Sequence, residues 1–72
     1  MKRHFPVIIE QDSEGIFLVE CPSFKGCRSY GYTVEEAMEN IQEAIEACLE
    51  EYSFHSENTT FVGVRDLEVA LT

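Results

Sequence analysis

The side chains able to do chemistry are three cysteines (Cys21, Cys27, Cys48), two histidines (His4, His55) and fourteen carboxylates set against five Lys and Arg. Structural zinc sites favour closely spaced Cys/His pairs. Cys21-x5-Cys27 lacks the C-x2-C spacing, and both histidines belong to other segments. The thiols therefore read as small buried apolar groups, two on strands and Cys48 on a helix stripe. Glu10, Asp12, Glu14 and Glu20 surround one hairpin. A two-metal nuclease would need carboxylates converging on ions about 3.5–4 Å apart. Asp12 and Glu14 instead fall in a solvated turn, and Glu10 and Glu20 keep a strand face wet. Gly26, Gly31 and the helix start at Thr33 suggest a phosphate cradle, since helix N-termini bind anions. Glu35 and Glu36 in that first turn would repel a phosphate. No catalytic residue, metal ligand or cofactor is assigned.

The elements that position these groups come from a chain of 72 residues, read as a single domain over 1–72. A domain this small buries about 60% of its unfolded surface, and its core supplies roughly 3–5 kcal/mol. Such a chain needs a staple, a metal or a partner, so a homo-oligomer, dimer or tetramer, is expected. The net charge of −9, with basic residues scattered at Lys2, Arg3, Lys25, Arg28 and Arg65, argues against direct nucleic acid binding. The same charge would steer a basic protein towards it. No signal peptide and no run of roughly 20 apolar residues is present, so a cytoplasmic protein with reduced thiols is expected, without a membrane role.

"FPVII", from Phe5 to Ile9, alternates and is rich in β-branched residues, which predicts a strand with Pro6 near its start or at a sheet edge. "QDSEG" is a turn and "IFLVEC" a second strand, giving a hairpin over 4–21. Alternation places Phe5, Val7 and Ile9 with Phe17, Val19 and Cys21 on one face. The opposite face then carries Ile8, Glu10, Ile16, Leu18 and Glu20. "CRSYGY" predicts a third strand, in which Gly31 marks a bulge or a close backbone approach. "TVEE" at 33–36 is a capping box opening an amphipathic helix over 34–51. Its apolar stripe comprises Val34, Ala37, Met38, Ile41, Ala44, Ile45, Cys48, Leu49 and Tyr52. Leu67, Val69 and Leu71 alternate with Asp66, Glu68 and Ala70, predicting a final edge strand over 61–71. The order β-β-β-α-β is an α+β fold, an antiparallel sheet with one amphipathic helix packed on one face.

The turn Asp12 to Gly15, the corner "PSFKGC" (Pro22 to Cys27), "GYTVEEA" (Gly31 to Ala37) and "NIQEAI" (Asn40 to Ile45) occur in that order. Over residues 5–51 the chain resembles the HicB antitoxin family, also called HicB-like or UPF0150. That resemblance implies a degraded RNase H-like domain without catalysis, which neutralises HicA, a small mRNA-cleaving toxin. Many members add a C-terminal DNA-binding domain; with the sequence stopping at Thr72, operator binding is not expected. Ser23-Phe24-Lys25 replaces the family's Asp-Leu-Pro and Tyr32 a common Asp, departures expected to alter a contact surface rather than the fold.

Two surfaces are candidates for a partner. Glu36, Glu39, Glu43, Glu46 and Glu50 form an acidic helix ridge, which is either a solvated face or a mimic facing a toxin's basic RNA site. The sheet face with Ile8, Glu10, Ile16, Leu18 and Glu20 is the rival, for self-association or toxin. The reading is a HicB-like antitoxin covering a HicA-type toxin's RNA site. The alternatives are a stand-alone oligomeric domain binding another protein or a small ligand, and a metal-dependent nuclease of RNase H-like type.

Overall fold

The computed structural model describes residues 3–51 and 61–71. Three strands, β1 (Ile8–Gln11), β2 (Phe17–Glu20) and β3 (Arg28–Gly31), precede one helix, α1 (Val34–Glu51). The sheet is antiparallel in the order β1-β2-β3, with Ile9 opposite Val19 and Val19 opposite Ser29. That register puts Ile9 on the helix side and Ile8, Glu10, Leu18 and Glu20 on the outer side, as alternation predicts.

β1 begins at Ile8, later than the expected Phe5. Continuing the register would set Val7 opposite Cys21, but the Cys21 N–H donates instead to the Cys27 carbonyl at 2.9 Å. Pro6 has no N–H to add to a ladder. The β1–β2 turn is closed by the Asp12 N–H on the Ile16 carbonyl (2.9 Å) and the Gly15 N–H on the Asp12 carbonyl (3.0 Å). Gly15 sits at φ 89°, which the left-handed end of this hairpin loop requires. Asp12 Oδ1 accepts from the Glu14 and Ile16 amides, both at 2.9 Å, so this carboxylate holds the turn together.

α1 starts with the predicted capping box. Thr33 Oγ1 accepts from the Glu36 N–H at 3.0 Å, and Glu36 Oε1 accepts from the Tyr32 N–H at 3.1 Å. These bonds satisfy donors that a helix start otherwise leaves unpaired. Ala37, Ile41 and Ile45 are buried, with Ala44, Cys48 and Leu49 half-buried beside them. Val34 and Met38 stand at the exposed margin of the stripe, and Tyr52 lies outside the described residues. The helix packs on β3 and β2 and does not reach β1. Asn40 Nδ2 reinforces that placement by donating to the Tyr30 carbonyl at 2.8 Å.

Gly31 is the close approach. A Cβ there would lie 2.9 Å from both Ala37 Cα and the Glu36 carbonyl carbon and would collide with the Ala37 amide nitrogen. The absence of a side chain lets the end of β3 touch the first turn of α1.

The core is Val19, Cys21, Phe24, Cys27, Ala37, Ile41 and Ile45. Phe24 corrects one expectation. The Pro22–Cys27 corner folds back through bonds from the Phe24 N–H to the Cys21 carbonyl and the Cys27 N–H to the Phe24 carbonyl. The Phe24 ring is thereby buried, its centroid 5.6 Å from that of Phe5. The departure at position 24 thus belongs to the core, not to a contact surface.

The expected fourth strand is not formed within this chain. Residues 61–71 hold no regular secondary structure and are exposed throughout, with Val62, Leu67 and Leu71 at 95%, 86% and 93%. Burying any one of these side chains would gain roughly 1.5–3 kcal/mol. The pattern is strand-like, yet among the described residues no neighbouring strand pairs with it.

Candidate partner-binding surfaces

The outer sheet face is assembled by the register in two rows. One runs Ile8, Glu20, Arg28 and the other Glu10, Leu18, Tyr30. The structure thus brings together Ile8, Glu10, Leu18 and Glu20 and adds Arg28 and Tyr30. Sequence reasoning missed both, although alternation along "CRSYGY" carries the signal once Leu18 is paired with Tyr30. Glu10, Leu18, Glu20, Arg28 and Tyr30 line a shallow depression of about 510 Å³. Ile16 precedes β2, is half-buried and is held through its amide by Asp12. It belongs to the hairpin end more than to this depression.

The acidic ridge is formed by side chains three and four residues apart. At 100° per residue, Glu36, Glu39, Glu43, Glu46 and Glu50 fall within an arc of about 80°. That arc lies opposite Ala37, Ile41 and Ile45, so the ridge points away from the sheet. All five glutamates are exposed. They are not equivalent: Glu36 is occupied as the helix cap, and Glu46 Oε2 accepts from Gln42 Nε2 at 3.4 Å. Glu39 and Glu43 sit between them along the ridge.

A second concavity lies between the helix and the segment leading into β1. Phe5, Val7, Ile41, Ile45 and Leu49 form an apolar floor, with Arg3, Glu39 and Glu46 at the rim of a groove of about 470 Å³. The Arg3 guanidinium lies 5.2 Å from the centre of the Phe5 ring. The groove exists because α1 covers β2 and β3 only.

The thiols meet in the core. Cys21 and Cys27 are buried, Cys48 is half-buried, and all three are free. Burial first, then a hydrogen bond with Cys48 and the nearness of Cys48 and Cys21, pushes the Cys27 thiol up to about 12. A thiol so disposed is a poor nucleophile and a poor thiolate donor at neutral pH. Among the described residues, no three His, Cys, Asp or Glu side chains are grouped to hold a metal ion, and no helix is long and apolar enough to cross a membrane. The arrangement is suited to contact: two charged faces and one apolar groove around a small core.

Comparison with known proteins agrees with this geometry. Residues 5–68 match the family described as the HicB_like antitoxin of bacterial toxin-antitoxin systems. A UPF0150 protein of Synechocystis sp. is 44% identical over 68 residues, covering 94% of this chain and 97% of that relative. A UPF0150 protein of Archaeoglobus fulgidus is 38% identical over 65 residues, covering 90% and 93% respectively. Among solved structures, the N-terminal domain of the Burkholderia pseudomallei antitoxin HicB superposes with a TM-score of 0.63 at 28% identity. That match covers 85% of this chain and 72% of the other. Three antiparallel strands, a capped helix and the ordered motifs between them place this chain in the HicB-like antitoxin family.

Proposed function

We propose that the protein is a cytoplasmic antitoxin that binds a small basic HicA-type toxin and blocks its RNA site, making and breaking no covalent bond itself. The observation that carries this reading is the ridge of exposed glutamates on the helix face turned away from the sheet. A toxin that cleaves RNA must present cations to phosphates, and a row of carboxylates fixed on a rigid helix competes for those cations. Glu39, Glu43 and Glu46 are the contact residues in this proposal. Glu36 contributes by holding the helix start, and Glu50 extends the ridge by one turn.

The outer sheet face offers Leu18 and Tyr30 as apolar anchors flanked by Glu10, Glu20 and Arg28. It faces the opposite direction from the ridge and is available for a second contact. Of the carboxylates the nuclease reading would use, Asp12 accepts through Oδ1 from two backbone amides and serves the hairpin turn.

The test is calorimetric affinity for a HicA-type toxin, before and after Glu39→Gln, Glu43→Gln and Glu46→Gln together. The expected result is binding weakened about tenfold or more at low salt, with the gap closing as ionic strength rises. Affinity unchanged by the triple substitution removes the ridge from the interface.

A further inference from the structure

We propose that residues 61–71 form the fourth strand by adding to the open edge of β1 in a second copy of this chain, reciprocally, so that the protein is a strand-exchanged homodimer. The donor and the acceptor are both present in one molecule and neither is filled. Leu67, Val69 and Leu71 have β-strand spacing, and with Val62 and Val64 they stand between 64% and 95% exposed. None of the backbone hydrogen bonds described for the chain reaches this segment. The acceptor is β1, an edge strand that among the described residues pairs only with β2 and that α1 leaves uncovered. Ile9, on its helix side, is 46% exposed, and beside it runs the groove floored by Phe5, Val7, Ile41, Ile45 and Leu49.

A strand laid along β1 would take up the unpaired backbone groups of that edge and turn alternate side chains into the groove. Apolar residues of the 61–71 segment match its floor. Arg65, in step with Leu67 and Val69, brings a cation to a rim holding Glu39 and Glu46, while Asp66 and Glu68 fall on the opposite side of the added strand. The family match extends through residue 68, so most of the segment belongs to the domain itself.

A second copy is favoured over closure within the chain because the segment projects from its own core. The radius of gyration is 14.3 Å with a longest extent of 47 Å. A compact chain of this length would have a radius near 11 Å. Reciprocal exchange uses one two-fold axis, fills both edges at once and leaves no β1 edge to propagate a polymer. The contact lies apart from the outer sheet face, which stays free for another partner.

The experiment is nuclear magnetic resonance on the full chain, with isotope-filtered contacts recorded on a mixture of labelled and unlabelled protein, alongside light scattering. The expected results are a mass of twice 8.2 kDa and contacts between copies from Leu67 and Val69 to Phe5 and Val7. The double variant Leu67→Pro, Val69→Pro should fall to the single-chain mass while keeping its helical circular dichroism, since both positions are exposed in the isolated chain. Contacts found only within a copy would overturn the proposal in favour of intramolecular closure. So would a single-chain mass for the parent protein, or a dimer whose mass is lost on Leu18→Glu and retained in the proline variant. A parent chain that is monomeric and pairs this strand only with the toxin would also overturn it, while leaving the antitoxin reading intact.

Discussion

Replacing Gly31 by alanine tests how the sheet and helix are joined. The added Cβ would meet the Ala37 amide nitrogen and lie 2.9 Å from Ala37 Cα and from the Glu36 carbonyl carbon. These are backbone atoms in the first turn of α1, and Ala37 is fully buried, so no flexible side chain can yield. Ordinary carbon contacts begin near 3.5 Å, so the helix start must retreat by about half an ångström or more. Overpacking of this kind costs roughly 1–3 kcal/mol, a large share of the roughly 3–5 kcal/mol that so small a core supplies. In urea, with a slope near 1 kcal/mol per molar for a small domain, the midpoint should fall by about 1–3 M. Gly63→Ala is the control, because nothing lies within 4 Å of a Cβ there; its midpoint should move by less than about 0.5 M. Protein concentration must be held fixed, since self-association would add to apparent stability. If Gly31→Ala unfolds at the same urea concentration as Gly63→Ala, the close-approach argument is wrong.

Other substitutions test separate parts of the account. Thr33→Ala removes the acceptor for the Glu36 amide and should cost about 1 kcal/mol by urea titration, with helix content in the native baseline unchanged. The Cys27 thiol, pushed up to about 12 by burial and its thiol neighbours, should resist a thiol-specific reagent at pH 8 until denaturant is added. Its folded pKa lies above the ordinary 9.0, so its contribution to stability is fully present below pH 9. That contribution should be lost as the pH rises from 9 towards 12, because the unfolded chain gives up the proton first. Stability that instead increases over that range would contradict the burial of this thiol.

Much of the architecture was legible because local signals and the global fold agree. Thr33 and Glu36 announce the helix start through their spacing, and the stripe of Ala37, Ile41 and Ile45 announces its buried face. The start at 34 follows from the capping box, and the end at 51 from the stripe continuing through Cys48 and Leu49 until "SFHSENTT" breaks the period. Alternation in Phe17, Leu18 and Val19 assigned the two sheet faces before any register was known. The start of β1 was less legible, because it depends on where the Cys21 amide bonds, a contact six residues along the chain. Phe24 was placed in a surface loop since nothing local reveals that the corner doubles back into the core. The segment 61–71 shows the deeper limit: Leu67, Val69 and Leu71 alternate as a strand would, yet the described segment holds no regular secondary structure, because alternation carries no information about a pairing edge. At the candidate site, the glutamate ridge could be read from spacing, whereas Arg28 and Tyr30 needed the β2–β3 pairing to join Leu18 and Glu20.

The central claim is that the protein acts through a contact surface that displaces RNA from a partner. The direct measurement is RNA cleavage by a purified HicA-type toxin, at fixed toxin and low salt, as the purified full chain is added. Cleavage should fall to background near equimolar protein and recover as salt is raised, while this chain alone with magnesium or manganese leaves RNA intact. Undiminished cleavage at excess protein, or turnover of RNA by this chain itself, would contradict the account.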